Sequence, residues 1–148
     1  MKKYGFIKTL IDGDNEIKLK ANTNTIVLYK GYFKDPDDNR KSADLLKDLM
    51  NYTKKAANYS QDANLGKLTE MEITEENALE LLNSVSDSFE FDTTFINQFI
   101  ASLIANAMPE PPSAREAMEY VPPHWATDPD IITELFEFFP IFMKPKNN

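Results

Sequence analysis

The chain has 148 residues, a hydrophobic fraction of 42%, a formal net charge of −8 and no cysteine. A domain of this length buries roughly two-thirds of its unfolded surface, so it needs no metal or disulfide to fold, and the missing thiols exclude disulfides, thiolate catalysis and Cys-based zinc sites together. An acidic total argues against nucleic-acid binding, which needs a concentrated basic face.

Tyr4 to Ile11 alternates in the manner of a strand, Asp12-Gly13 is a hairpin turn signal, and Glu16 to Ala21 is the second strand. In that strand Ile17, Leu19 and Ala21 share one face and Glu16, Lys18 and Lys20 the other. A lone hairpin is unstable in water, so it must pack on something. Thr23 or Asn24 can cap a short helix over Thr25–Phe33, with Ile26, Tyr29, Tyr32 and Phe33 at helical spacing. Lys34 to Lys41 is a polar loop broken by Pro36. Ser42 is then the expected cap of a helix to about Asn58, striped by Leu45, Leu46, Leu49 and Tyr52.

Tyr59 to Ile73 carries turn signals around Asn64-Leu65-Gly66 and is left undecided. Thr74-Glu75-Glu76 opens a helix with acids in its first turn, which suits the helix dipole, and Ala78, Leu81, Leu82 and Val85 give it an apolar face. Asp92 is the expected cap of the clearest helix, whose stripe of Phe95, Ile96, Phe99, Ile100, Leu103 and Ile104 makes it the core helix. Pro109, Pro111 and Pro112 end it. Ser113 to Tyr120 is a short helix, Pro122 and Pro123 break again, and Asp128-Pro129 puts proline at the first helical position. The last helix is expected to run to Phe139, where Pro140 stops it.

The fold class is therefore mainly α (α+β): an N-terminal β-hairpin followed by about five helices. Residues 1–143 read as one domain, with 1–21 the hairpin and 25–143 the helical part, and residues 144–148 as a flexible basic tail. The start lacks the long apolar core of a signal peptide. Phe95 to Met108 is too short, and too interrupted by Asn97, Gln98, Ser102 and Asn106, to span a bilayer. No membrane association is expected, and an intracellular location is.

Chemistry-bearing motifs are sparse. Asp12 to Glu16, and Asp35, Asp37 and Asn39, begin like calcium loops. The sixth and twelfth positions fail in both: Ile17 and Thr23 in one, Arg40 and Leu46 in the other. The single histidine, His124, stands beside Trp125 between prolines and reads as a packed loop anchor. The isolated glycines Gly5, Gly13, Gly31 and Gly66 form neither a P-loop nor a dinucleotide fingerprint. No catalytic, cofactor-binding or metal-ligating residue is assigned, and an enzyme is not expected.

Apolar excess at the end of the sequence points instead to a partner surface. Ile131, Ile132, Leu135, Phe136, Phe138 and Phe139 wrap more than one helix face, where one-sided packing normally gives a narrower stripe. Ile141, Phe142 and Met143 lie beyond Pro140. The candidate partner-binding residues are Leu135, Phe136, Phe138, Phe139, Ile141, Phe142 and Met143, either as an exposed surface or as a segment that folds back. Charge supplies a second signal. Residues 1–60 carry twelve Lys/Arg and eight Asp/Glu, net +4, and residues 61–148 four and sixteen, net −12. This means two solvated faces, head-to-tail attraction within or between copies, or a basic partner for the acidic half.

The layout resembles that of the tail assembly chaperones of long-tailed phages infecting Gram-positive bacteria. The likeness is carried by the hairpin, NTIVLYKGYFKDPDDNRKSADLLKDLM (22–50), FINQFIASLIANAMPEPPS (95–113) and DPDIITELFEFF (128–139). It covers nearly the whole chain, and PPHWATDP departs from it. The resemblance implies a non-enzymatic chaperone, acting in the host cell cytoplasm and absent from the mature virion, that self-associates and coats the tape measure protein while the tail tube protein polymerises. It also implies a longer form made by −1 ribosomal frameshifting; Pro145-Lys146-Asn147 is compatible with the slippery sequence A AAA AAC. The competing classes are a small structural tail or head–tail component retained in particles, and a small acidic inhibitor or immunity-type protein.

Overall fold

The computed structural model describes residues 1–62 and 92–143, with side chains placed for 1–55 and 92–143. The expected helix from Thr74 and most of the undecided stretch lie outside the described residues, as do residues 144–148. Within them the architecture is the expected one: an antiparallel hairpin followed by helices.

Strands β1 (Phe6–Asp12) and β2 (Asn15–Ala21) pair from Phe6 opposite Ala21 to Asp12 opposite Asn15. The connecting turn is thus Gly13-Asp14, one residue later than the Asp12-Gly13 signal. Gly13 has φ of 61° and is the only described residue with positive φ. A positive φ at the first central position alone matches a type II′ turn, where glycine avoids the Cβ clash. Period two holds: Leu10, Ile17, Leu19 and Ala21 are buried, while Ile7, Thr9, Ile11, Glu16 and Lys18 are exposed on the other face.

Helix α1 (Thr23–Tyr32) begins two residues earlier than expected. Its cap is Asn22, ahead of either expected candidate. The Asn22 side-chain Oδ1 accepts from the Asn24 N–H at 3.0 Å, and the Thr25 hydroxyl oxygen accepts from the Asn22 N–H at 3.1 Å, closing a capping box. Helix α2 (Leu45–Asp62) is capped by Asp44, which accepts from the Leu46 and Lys47 N–H groups, and not by Ser42. Ser42 bridges back to Lys34 across the polar loop. Of the expected α2 stripe, Leu45, Leu49 and Tyr52 are buried and Leu46 is exposed.

Helix α3 occupies residues 92–107, and Asp92 is already helical. Its whole expected stripe is buried, and Ala101, Ser102 and Ala105 widen the covered surface. Apolar contact on this scale makes α3 the centre of the fold, with about 1.5–3 kcal/mol for each large side chain removed from water. Helix α4 (Ala114–Glu119) follows, capped by Ser113, whose hydroxyl accepts from the Glu116 N–H at 3.2 Å. A 3-10 turn over Trp125–Thr127 buries Trp125, which is 1% exposed. The loop anchor is therefore the tryptophan alone. His124 stays at the surface, with Nε2 3.2 Å from Asp12 Oδ1.

Helix α5 (Pro129–Leu135) starts as expected, with Asp128 accepting from the Asp130 N–H and Pro129 in the first turn. It ends at Leu135, four residues short of the expected end. Pro140 does not act as a stop. It lies in the first turn of a further short helix, α6 (Phe139–Phe142), where its missing N–H costs nothing.

Candidate interaction surface

The seven candidate residues divide by depth. Leu135 and Phe138 are fully buried and Phe139 nearly so, at 8% exposure. Phe138 meets Phe6 of β1 edge-to-face at 5.2 Å, and Phe139 meets Phe99 of α3 at 5.9 Å and Tyr52 of α2 at 6.0 Å. These side chains close the core over the hairpin and the central helix. Phe142 and Met143 are partly buried against the same core. Phe136 and Ile141 remain exposed, at 42% and 45%. The turn between α5 and α6 produces this division, because it re-aims the aromatic run so that more of it reaches the core than one straight helix would allow.

A polar contact fixes the same region from the other side. Lys8, on the inner face of β1, reaches both Glu134 and Glu137. Hydrogen bonding to Glu134 first, and to Glu137 second, holds the Lys8 ammonium above its usual pKa. The contact joins the first strand to the segment that links α5 and α6.

An apolar groove opens beside this junction. Tyr4, Gly5 and Phe6 form one wall, Asn22, Thr23 and Ile26 another, and Ile141 and Phe142 a third. Its volume is about 500 Å³, within the range of ligand clefts. Two of the candidate residues thus border a concave site whose other apolar walls come from the opposite end of the sequence. Tyr4, Phe6 and Ile26 were not assigned to a site from the sequence. Their apolar character was legible, but the juxtaposition depends on the return of α6 to the hairpin. Lys2 Nζ sits 5.3 Å from the centre of the Tyr4 ring, and the Lys20 side chain lies against Gly5, so the Tyr4 wall has cationic neighbours.

Elsewhere the buried polar groups bind one another. Tyr29, fully buried, donates its hydroxyl to Asp48 Oδ2 at 2.7 Å. Burial, then this hydrogen bond, pushes the phenol well above its usual range. Asp48 is 2% exposed and its Oδ1 has no hydrogen-bond partner. Burial raises its pKa, against the lowering effect of the Tyr29 hydroxyl. The Asn106 side-chain Nδ2 donates to the Lys20 backbone carbonyl, Asn22 Oδ1 and Thr25 Oγ1, and its Oδ1 accepts from Asn24 Nδ2. That network ties the α1 cap to α3. In the polar loop, Asp35 accepts from Lys47 at 2.9 Å and from the Asp37 N–H at 2.8 Å. The lysine first, then the backbone N–H, holds its carboxyl below the usual range.

Among the described residues, no group of three or more His, Asp or Glu side chains is placed to hold a metal ion, and no helix is long and apolar enough to cross a membrane. No family model, curated protein or solved structure matches the chain.

Proposed function

We propose that this chain is a non-enzymatic tail assembly chaperone of the phage type. It self-associates and covers the tape measure protein in the host cell cytoplasm while the tail tube protein polymerises around the complex, and it is absent from the finished particle. A longer frameshifted form belongs to the same proposal.

The observation that supports the reading is the groove bounded by Tyr4, Phe6, Ile26, Ile141 and Phe142. An amphipathic helix binds by laying apolar residues one turn apart into such a groove. A tape measure protein is a long helical protein with apolar faces, and aromatic walls adapt to varied side chains along it. Lys2 and Lys20 beside the Tyr4 wall favour a helix that flanks its apolar residues with acids. The acidic surplus elsewhere keeps a coated assembly dispersed.

The test is capture of the tape measure protein encoded with this chain by the full-length protein. Ile141→Asp places a charge at an exposed groove position and is expected to weaken capture by about tenfold or more. Wild-type protein that fails to bind would end the proposal. Stoichiometric recovery of the chain from purified particles would replace it with the structural-component reading.

A further inference from the structure

The hairpin has an open edge, and its chemistry is self-complementary. Closure of a two-residue turn makes Asp12–Asn15 a hydrogen-bonded pair, so pairs alternate from there along the register. By that count Ile7, Thr9 and Ile11 direct their N–H and C=O groups away from β2. The Lys20 carbonyl checks the parity: its residue faces Ile7, and it accepts from Asn106 Nδ2 at 3.0 Å and Thr25 Oγ1 at 3.2 Å, outside the hairpin. Those bonds cover part of the β2 edge. On the β1 edge no hydrogen bond from the described residues reaches the backbone of Ile7, Thr9 or Ile11. The side chains of all three are exposed, Ile7 at 56% and Ile11 at 66%.

Edges of this kind are normally guarded by lysine, proline or a bulge. Here Lys8 faces inward and is engaged by Glu134 and Glu137, so it guards nothing. We infer that β1 pairs antiparallel with β1 of a second copy about a two-fold axis at Thr9, giving a four-stranded sheet across the dimer. In that register Thr9 faces Thr9 and Ile7 faces Ile11 of the second copy. Reading across the exposed face, each isoleucine pair is flanked by Lys20 on one hairpin and Glu16 on the other. Apolar meets apolar and the outer charges are opposite, which is what an isologous contact requires. An unrelated strand would have no reason to match this pattern. The inference gives the self-association proposed above a specific contact and rests on that part of the reading.

The chain has no cysteine, so Thr9→Cys and Lys18→Cys each carry a single thiol. In the dimer the Thr9 Cα atoms stand about 5.5 Å apart, within disulfide reach. The Lys18 positions are three strand spacings apart, about 14 Å. Under mild oxidation Thr9→Cys is expected to form covalent dimer about tenfold faster than Lys18→Cys or better. Thr9→Pro removes an N–H that faces away from β2, a place where an edge strand tolerates proline. It is expected to raise the dimer dissociation constant about tenfold or more, read by sedimentation of the full chain. An associated protein with equal crosslinking of the two cysteine variants and no effect of Thr9→Pro would overturn the edge contact and leave self-association standing. A wild-type protein monomeric at all concentrations would overturn both. Binding of an extended peptide by a chain that stays monomeric alone would assign the edge to another occupant and likewise overturn the inference.

Discussion

The Tyr29 hydroxyl and the Asp48 carboxylate meet at 2.7 Å where both residues are withdrawn from water, and the second carboxylate oxygen has no hydrogen-bond partner. The pair links α1 to α2, and Gln98 Oε1, 3.4 Å from the same hydroxyl, brings in α3. Tyr29→Phe removes the donor and leaves a buried carboxylate with less support. A loss of about 1–3 kcal/mol is expected in chemical denaturation.

The pH dependence follows from the raised pKa of Asp48. An acid whose folded pKa lies above its unfolded value binds more proton when folded, so ν_U − ν_N is negative between the two and stability falls as pH rises. The contribution is fully present below the ordinary carboxylate range and lost as pH climbs through the raised value. Asp48→Asn keeps an acceptor for Tyr29 and cannot ionise. The gap in urea midpoint between wild type and Asp48→Asn is therefore expected to move in favour of the variant from pH 4 to pH 7, and a constant gap would show that Asp48 is not responsible.

Phe136 and Phe138 are two positions apart and should behave as residues of different kinds. Phe138→Ala empties a fully buried site against Phe6 and is expected to cost about 3–5 kcal/mol. Phe136→Ala trims a ring that is 42% exposed and should cost under about 1.5 kcal/mol. Denaturation midpoints of the two variants, measured side by side, check the division of the aromatic run into core and surface.

Asn106 holds a cap in place from outside its helix. Asn106→Ala leaves the Lys20 carbonyl, Asn22 Oδ1 and Thr25 Oγ1 each with one donor fewer. A loss of about 2 kcal/mol is expected. Hydrogen exchange should show it first at the N-terminus of α1, with α3 amides following only at the level of global unfolding.

Local signals were legible where a single residue could act. Ser113, Asp128 and Pro129 did what their types suggest, and the α3 stripe placed the core helix. Asn22 was hidden because three neighbouring residues can all cap, and only the entry angle of the chain selects one. Asp44 displaced Ser42 because Ser42 is engaged by the bridge to Lys34. Pro140 ends or begins a helix depending on where the preceding one stops, which tertiary packing of Phe138 and Phe139 decides. For the candidate site, the apolar excess in residues 135–143 was readable but its depth was not. The Tyr4, Phe6 and Ile26 walls, and the unpaired side of β1, depend on which elements return to the hairpin, and no period in the sequence carries that.

The clamp of Lys8 by residues of the last helical segment also sets a timetable. Lys8 and Glu137 are 129 positions apart. At roughly 5–20 residues per second, a ribosome spends roughly 6–26 s between them. A hairpin forms in about 1–10 μs, yet alone it is marginal in water. During synthesis Phe6 and Lys8 of β1 therefore wait for seconds before their partners Phe138, Glu134 and Glu137 exist. The contacts of β1 with α5 and the segment linking it to α6 form only after about 130 further residues have been made.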